Sequence, residues 1–177
     1  MTRDYYFFSH YSPKFRHFPT LIEVFISYGQ HSDAFLLVEY GFVIGPKNHL
    51  NRVVFSADNI LSNAVDKRTE CIKIGCHDGF AVSPNGISWS MIRACLIASV
   101  TAIETAECIY DDFEKWPIQL QKLTAQKLYN VITDKLSDFR PRIGKFENPA
   151  LNIYYADQQR ILKEISKNIK NDNICEI

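Results

Sequence analysis

The sequence predicts an α+β fold, with a short β-rich first part and a mainly α-helical second part. Up to about residue 86 the apolar runs are brief, β-favouring and broken by glycine and proline, whereas from Ser88 onward apolar residues recur at i, i+3 and i+4 spacing. Of 177 residues, 46% are hydrophobic, 13% aromatic and 23% charged, enough apolar matter for a core and too little charge for a disordered chain.

In order along the chain, residues 1 to 20 are aromatic and polar without a period, and Pro13 and Pro19 exclude a helix there. Val24 to Ser27 is a short β-favouring run ended by Tyr28-Gly29, and Ser32-Asp33 offers an N-cap for a helix from Ala34 to Tyr40 that closes at Gly41. Val53-Val54-Phe55 reads as a strand, and Ser56-Ala57-Asp58 starts a helix-like segment toward Ala64. Cys71 to Ile74 and Gly79 to Val82, separated by Gly75-Cys-His-Asp78, predict a hairpin. Three helices follow. The first carries Met91, Ile92, Cys95, Leu96 and Val100, and Trp89 is expected to anchor the helical core. The second opens at Trp116-Pro117 and carries Leu120, Leu123, Leu128, Val131, Ile132 and Leu136 until Pro141, and the third runs from about Asn152 to Asn168 with Ile161, Leu162, Ile165 and Ile169 on one face.

Twenty basic residues balance twenty acidic ones, which removes the electrostatic argument for nucleic acid or an anionic membrane as main partner. No run reaches the roughly 18 apolar residues of a membrane span, and the longest candidate, Met91 to Ala106, is interrupted by Arg93 and Glu104. Five scattered cysteines suit free thiols in a reducing compartment, so a cytoplasmic or nuclear protein is expected. Cys71, Cys76 and His77 lack the second ligand pair that a zinc site needs, and no metal is expected. Ser27, His31 and Asp33 are neighbours in sequence only, with no Gly-x-Ser-x-Gly elbow, and no glycine loop is built to cradle phosphate.

Two Tyr-Gly pairs stand apart from this background. Each tyrosine can be core packing, with its glycine supplying a turn. Together, Glu-Val-Phe-Ile-Ser-Tyr-Gly-Gln-His-Ser-Asp (23–33) and Phe-Leu-Leu-Val-Glu-Tyr-Gly-Phe-Val (35–43) resemble the end of a SET domain of the Rubisco large-subunit methyltransferase-like type. Asp78-Gly79-Phe80 and Ser83 to Trp89, followed by an apolar helix, look like the start of the helical substrate-binding domain that follows the SET domain in that family. The resemblance implies a partial SET domain over 1–50, a connecting segment over 51–86 and the helical domain over 87–177.

It further implies a protein-lysine N-methyltransferase that uses S-adenosylmethionine. Tyr28 takes the place of the catalytic tyrosine, beside the transferred methyl group and the lysine amine, and Tyr40 and Phe42 wall the substrate-lysine pocket. A lysine must be neutral to attack, which burial favours, and aromatic rings hold its cationic and methylated forms. His10 matches one residue of the family's Asn-His-Ser cofactor segment, with Ser9 and Tyr11 departing from it, and His10 can equally be a surface histidine. Glu23 keeps one acidic position of the usual Gly-Glu-Glu approach, where Leu21 and Ile22 replace its first two residues. From His10 to Tyr28 the chain is too short for the usual intervening strands, so the donor site is expected to be incomplete. The expectation is therefore an incomplete or inactive methyltransferase acting on a protein substrate, or a non-catalytic module binding a protein partner. A homodimer is one way to complete the site.

Overall fold

The computed structural model describes residues 29–61, 65–100, 108–139 and 144–171. The chain divides into two units, Met1–His31 and Ser32–Ile177. In the first, the described residues begin at Gly29, which has a left-handed φ of 82°. The expected strand at Val24 to Ser27 lies outside the described residues.

The second unit is mixed, as predicted: helices carry most of its described residues and three short strands form one antiparallel sheet. Its elements are α1 (Asp33–Tyr40), β1 (Val53–Val54), α2 (Ala57–Leu61), α3 (Val65–Lys73), β2 (Ala81–Ser83), β3 (Gly86–Ile87), α4 (Trp89–Ser99), α5 (Ile118–Phe139) and α6 (Pro149–Lys170). The sheet runs β1-β2-β3, with Val53 opposite Val82 and Val82 opposite Ile87. Because side chains alternate across a strand, this register puts Val53, Val82 and Ile87 in one buried cross-strand row.

Helix α1 begins and ends where the sequence places it. Ser32 is the extended N-cap residue, and Gly41, at φ 75°, donates its N–H to the Leu37 carbonyl at 3.1 Å. Open space surrounds the position of a Cβ on Gly41, so the backbone angle alone calls for glycine there. Ser88 caps α4 through its hydroxyl, which accepts from the Met91 N–H, and Asn148 caps α6 by accepting from the Ala150 N–H at 2.9 Å. The third long helix starts three residues earlier than expected because Asn148-Pro149 is a cap followed by a proline at the first turn.

The hairpin expected over 71–82 is not formed. Residues up to Lys73 belong to α3, and Gly75, with φ 69°, ends it. The Cys76 N–H reaches the Cys71 carbonyl at 2.9 Å and the Gly75 N–H reaches Ile72 at 3.1 Å, the paired bonds of a Schellman cap. Glycine in the left-handed region serves either a hairpin or a helix end, and the charged run Asp66-Lys-Arg-Thr-Glu70 favours the helix. The hairpin that does form joins β2 to β3 across Pro84-Asn85.

The core lies among α4, α5 and α6, with the sheet against it. Met91, Leu96, Leu128, Ile132, Ile161 and Leu162 are fully buried, each contributing about 1.5–3 kcal/mol over an exposed position. Two expected core positions move. Leu123 is exposed, and its neighbour Thr124 turns inward in the row from Leu120 to Leu128; the Thr124 hydroxyl finds no hydrogen-bond partner among the described residues. Trp89 is 38% exposed while Trp116 is 2% exposed, so Trp116 is the core tryptophan, packed between Phe113 and Trp89 with its indole N–H donating to the Asp111 carbonyl at 3.1 Å. Trp89 is the first residue of α4, where a side chain has only half a helix turn around it.

Candidate functional site

The second unit positions its chemistry around α1 and the loop after it. Asp33, the first residue of α1, is fully buried. A buried carboxylate must be fully hydrogen-bonded, and this one is. Its Oδ1 accepts from the Ile44 N–H at 3.1 Å and the Asn48 amide at 2.8 Å; its Oδ2 accepts from the Gly45 N–H at 2.7 Å and the Asn51 amide at 3.0 Å. Asn51 returns the contact, its carbonyl oxygen accepting from the Asp33 backbone N–H at 2.8 Å. That bond satisfies one of the amides left open at a helix start, a task the Ser32 side chain does not perform.

The same Asn51 amide donates to Asp157 on α6 at 2.8 Å, across 106 residues of sequence. Asp157 is buried too, and its other oxygen accepts from Arg160 Nε at 2.8 Å. Arg160 continues to Glu164 at 3.1 Å. One asparagine amide thus keeps two buried carboxylates from facing each other bare and ties α1 and its loop to α6. Gly45 completes the junction: with φ 80°, its added Cβ would lie 3.1 Å from Ile153 Cγ2.

Tyr40 and Phe42 are brought together at the other end of α1, as Gly41 turns the chain between them. Their ring centroids are 6.3 Å apart at 35°, and Phe35 meets Tyr40 edge-on at 6.2 Å. Tyr40 is 49% exposed and Phe42 is half-buried. Tyr28 and His10 lie outside the described residues.

A cleft of about 310 Å³ opens between the first turn of α1, β1, α5 and α6, lined by Ser32, Ala34, Arg52, Val53, Val54, Lys135, Phe139, Tyr154, Tyr155 and Gln158. Lys135 Nζ lies 5.7 Å from the Phe55 ring centroid and 5.9 Å from that of Phe139. Burial, reinforced by Tyr155 and Asp33, raises the Tyr154 hydroxyl above its ordinary value, so it remains a proton donor at neutral pH. This cleft does not fit S-adenosylmethionine. Its two cationic residues oppose a sulfonium, and it has no carboxylate to receive ribose hydroxyls.

The thiols form a third, separate feature. Cys71, Cys76 and Cys95 are buried and free. A hydrogen bond from Cys71 lowers Cys76, burial opposes that, and the Arg93 guanidinium adds to it; the same thiol pair raises Cys71. Arg93 donates to the Ile74 carbonyl at 3.2 Å, next to this cap. Among the described residues no group of three or more His, Cys, Asp or Glu side chains converges on a metal position, and no helix is long and apolar enough to cross a membrane.

The residues that sequence reading missed are Asn48, Asn51 and Asp157. The polar loop Gly-Pro-Lys-Asn-His-Leu-Asn was the available signal, since two asparagines beside an N-terminal Asp are hydrogen-bonding groups seeking partners. Nothing local pointed to Asp157.

The chain is similar to SET domain-containing protein 4 of Artemia parthenogenetica, with 33% identity over 130 residues, covering 66% of this chain and 31% of that protein. The chain therefore spans about a third of the length of that curated relative. No family model and no solved structure matches. The similarity points to a SET domain and does not extend to the Rubisco-methyltransferase subtype.

Proposed function

We propose that this chain derives from a SET-type protein-lysine methyltransferase of the Rubisco large-subunit methyltransferase-like kind, with residues 1–50 as the SET end, 51–86 as a connection and 87–177 as the helical substrate-binding domain. The observation carrying this reading is the similarity to a SET domain-containing protein. The side-by-side Tyr40 and Phe42 rings on the Gly41 turn support it, since an aromatic wall is what a pocket for a methylated ammonium needs. In this reading Tyr28 is the catalytic tyrosine, His10 a cofactor contact and S-adenosylmethionine the methyl donor. In this reading the donor site of the chain by itself is incomplete, because only His10 agrees within the Asn-His-Ser segment and the stretch from His10 to Tyr28 is too short for the usual intervening strands.

Calorimetric titration of the purified chain with S-adenosylhomocysteine tests it. No saturable heat from a folded sample is expected. Saturable binding would overturn the incomplete donor site, and Tyr28→Phe should then abolish methyl transfer to a lysine of a protein substrate without loss of fold.

A second reading, a non-catalytic module that binds a protein partner, is favoured by the apolar side chains that α1 exposes, Phe35, Val38 and Tyr40. Capture of a partner by the chain, lost in Val38→Asp, would support it. Neither reading calls for nucleic acid or membrane.

A further inference from the structure

The cleft beside α1 has a consistent chemistry that the methyltransferase reading does not use. Its side-chain polar groups are Arg52, Lys135, the Tyr154 and Tyr155 hydroxyls, the Gln158 amide and the Ser32 hydroxyl. All can donate a hydrogen bond, and none is a carboxylate. The two acids placed nearby, Asp33 and Asp157, have both oxygens occupied by donors from the protein. Among the described residues neither Arg52 nor Lys135 is ion-paired, although the sequence holds as many acidic as basic residues. Two cations with no acid partner among the described residues, Arg52 exposed and Lys135 half-buried, flank a recess walled by Phe139 and two tyrosines, a lining that suits an anion.

Volume sets the size of that anion. An apolar cavity of about 150 Å³ accepts a benzene molecule. At about 310 Å³ the cleft has room for one ring with a substituent. We infer that this cleft binds a small molecule consisting of one planar ring that carries a single anionic group, a phosphate or a carboxylate, with Arg52 and Lys135 on the anion and the aromatic side chains on the ring. The inference stands independently of the methyltransferase reading.

Backbone amide NMR of the chain, titrated with phenyl phosphate, benzoate, phenol and inorganic phosphate, tests it. At least one of the two ring-bearing anions should give saturable shifts at Ala34, Val54 and Tyr155, and the tighter of the two identifies the anion. Phenol should bind at least tenfold more weakly. The double variant Arg52→Gln, Lys135→Gln should lose at least tenfold in affinity while keeping the amide pattern of the core. Raising salt should weaken the parent's binding, a check that needs no variant. Absence of saturable shifts with both anions would overturn the inference. So would equal binding of phenol, which would mean that the charge is not read, or equal binding of inorganic phosphate, which would mean that the ring is not read.

Discussion

The two ends of α1 are built on opposite principles. At its start, Asp33 is buried and every oxygen of its carboxylate is held, by two backbone amides and two asparagines. At its end, Tyr40 meets Phe42 across Gly41 and reaches back to Phe35, and Phe35 and Tyr40 are both partly in solvent. The Tyr-Gly-Phe part of the family resemblance lies at the wet end, whereas the segment is anchored at the dry one. Residues that give a motif its signature need not be those that hold it in place.

The largest expected effect tests the dry end. Asn51→Leu removes the amide between Asp33 and Asp157 and leaves two buried carboxylates without their shared donor. It should cost about 3–5 kcal/mol in urea unfolding. A cost below about 1 kcal/mol would mean that water replaces the amide easily and that this end is not dry. Trp116→Ala comes next, at about 3 kcal/mol for an emptied core position, while Trp89→Ala, half in solvent, should cost about 1 kcal/mol. Equal costs for the two tryptophans would return Trp89 to the core role that sequence reading gave it.

How much of this was legible follows the range of the forces involved. Helices α1, α4, α5 and α6 were readable because caps and apolar spacing are local, as Ser32, Gly41, Ser88 and the Ile161-Leu162-Ile165-Ile169 face show. Helix α3 was misread because Gly75 stops a helix and turns a hairpin with the same backbone angle. At the candidate site, the Tyr40–Phe42 pair was visible because one glycine separates the two. The hub was not, because Asp33 depends on Asp157 through an asparagine in a loop, and a partner 106 residues away leaves no trace in the local pattern. The cleft shares that cause, since its two cations come from the residue before β1 and from α5.

The thiol core offers a dry position whose test is pH. Burial pushes Cys95 up to about 12, against 9.0 for the free thiol. The folded chain thus prefers the protonated form, and the stability this gives is complete below pH 9.0 and is lost progressively as pH rises toward about 12. Cys95→Ala should cost about 1 kcal/mol at pH 7 from lost packing. That difference should shrink by up to about 1.4 kcal/mol per pH unit above the unfolded thiol's value, so parent and variant should be about equally stable near pH 10. Parallel stability curves across that range would mean that the Cys95 thiol is not in a dry site.

The smallest effect belongs to the wet end and separates position from function. Tyr40→Ala removes a ring that is half in solvent, so the change in unfolding free energy should stay within about 1 kcal/mol. Gly41 sets the turn through its backbone angle, and Asp33 anchors the loop after it, so Phe42 should keep its place in the variant. If the aromatic wall serves a methylated ammonium or a partner surface, Tyr40→Ala should weaken that binding while the amide spectrum of Asp33, Asn51 and Gly45 stays unchanged. A loss of several kcal/mol of stability would instead make Tyr40 a structural residue, and the contrast between the two ends of α1 would fail.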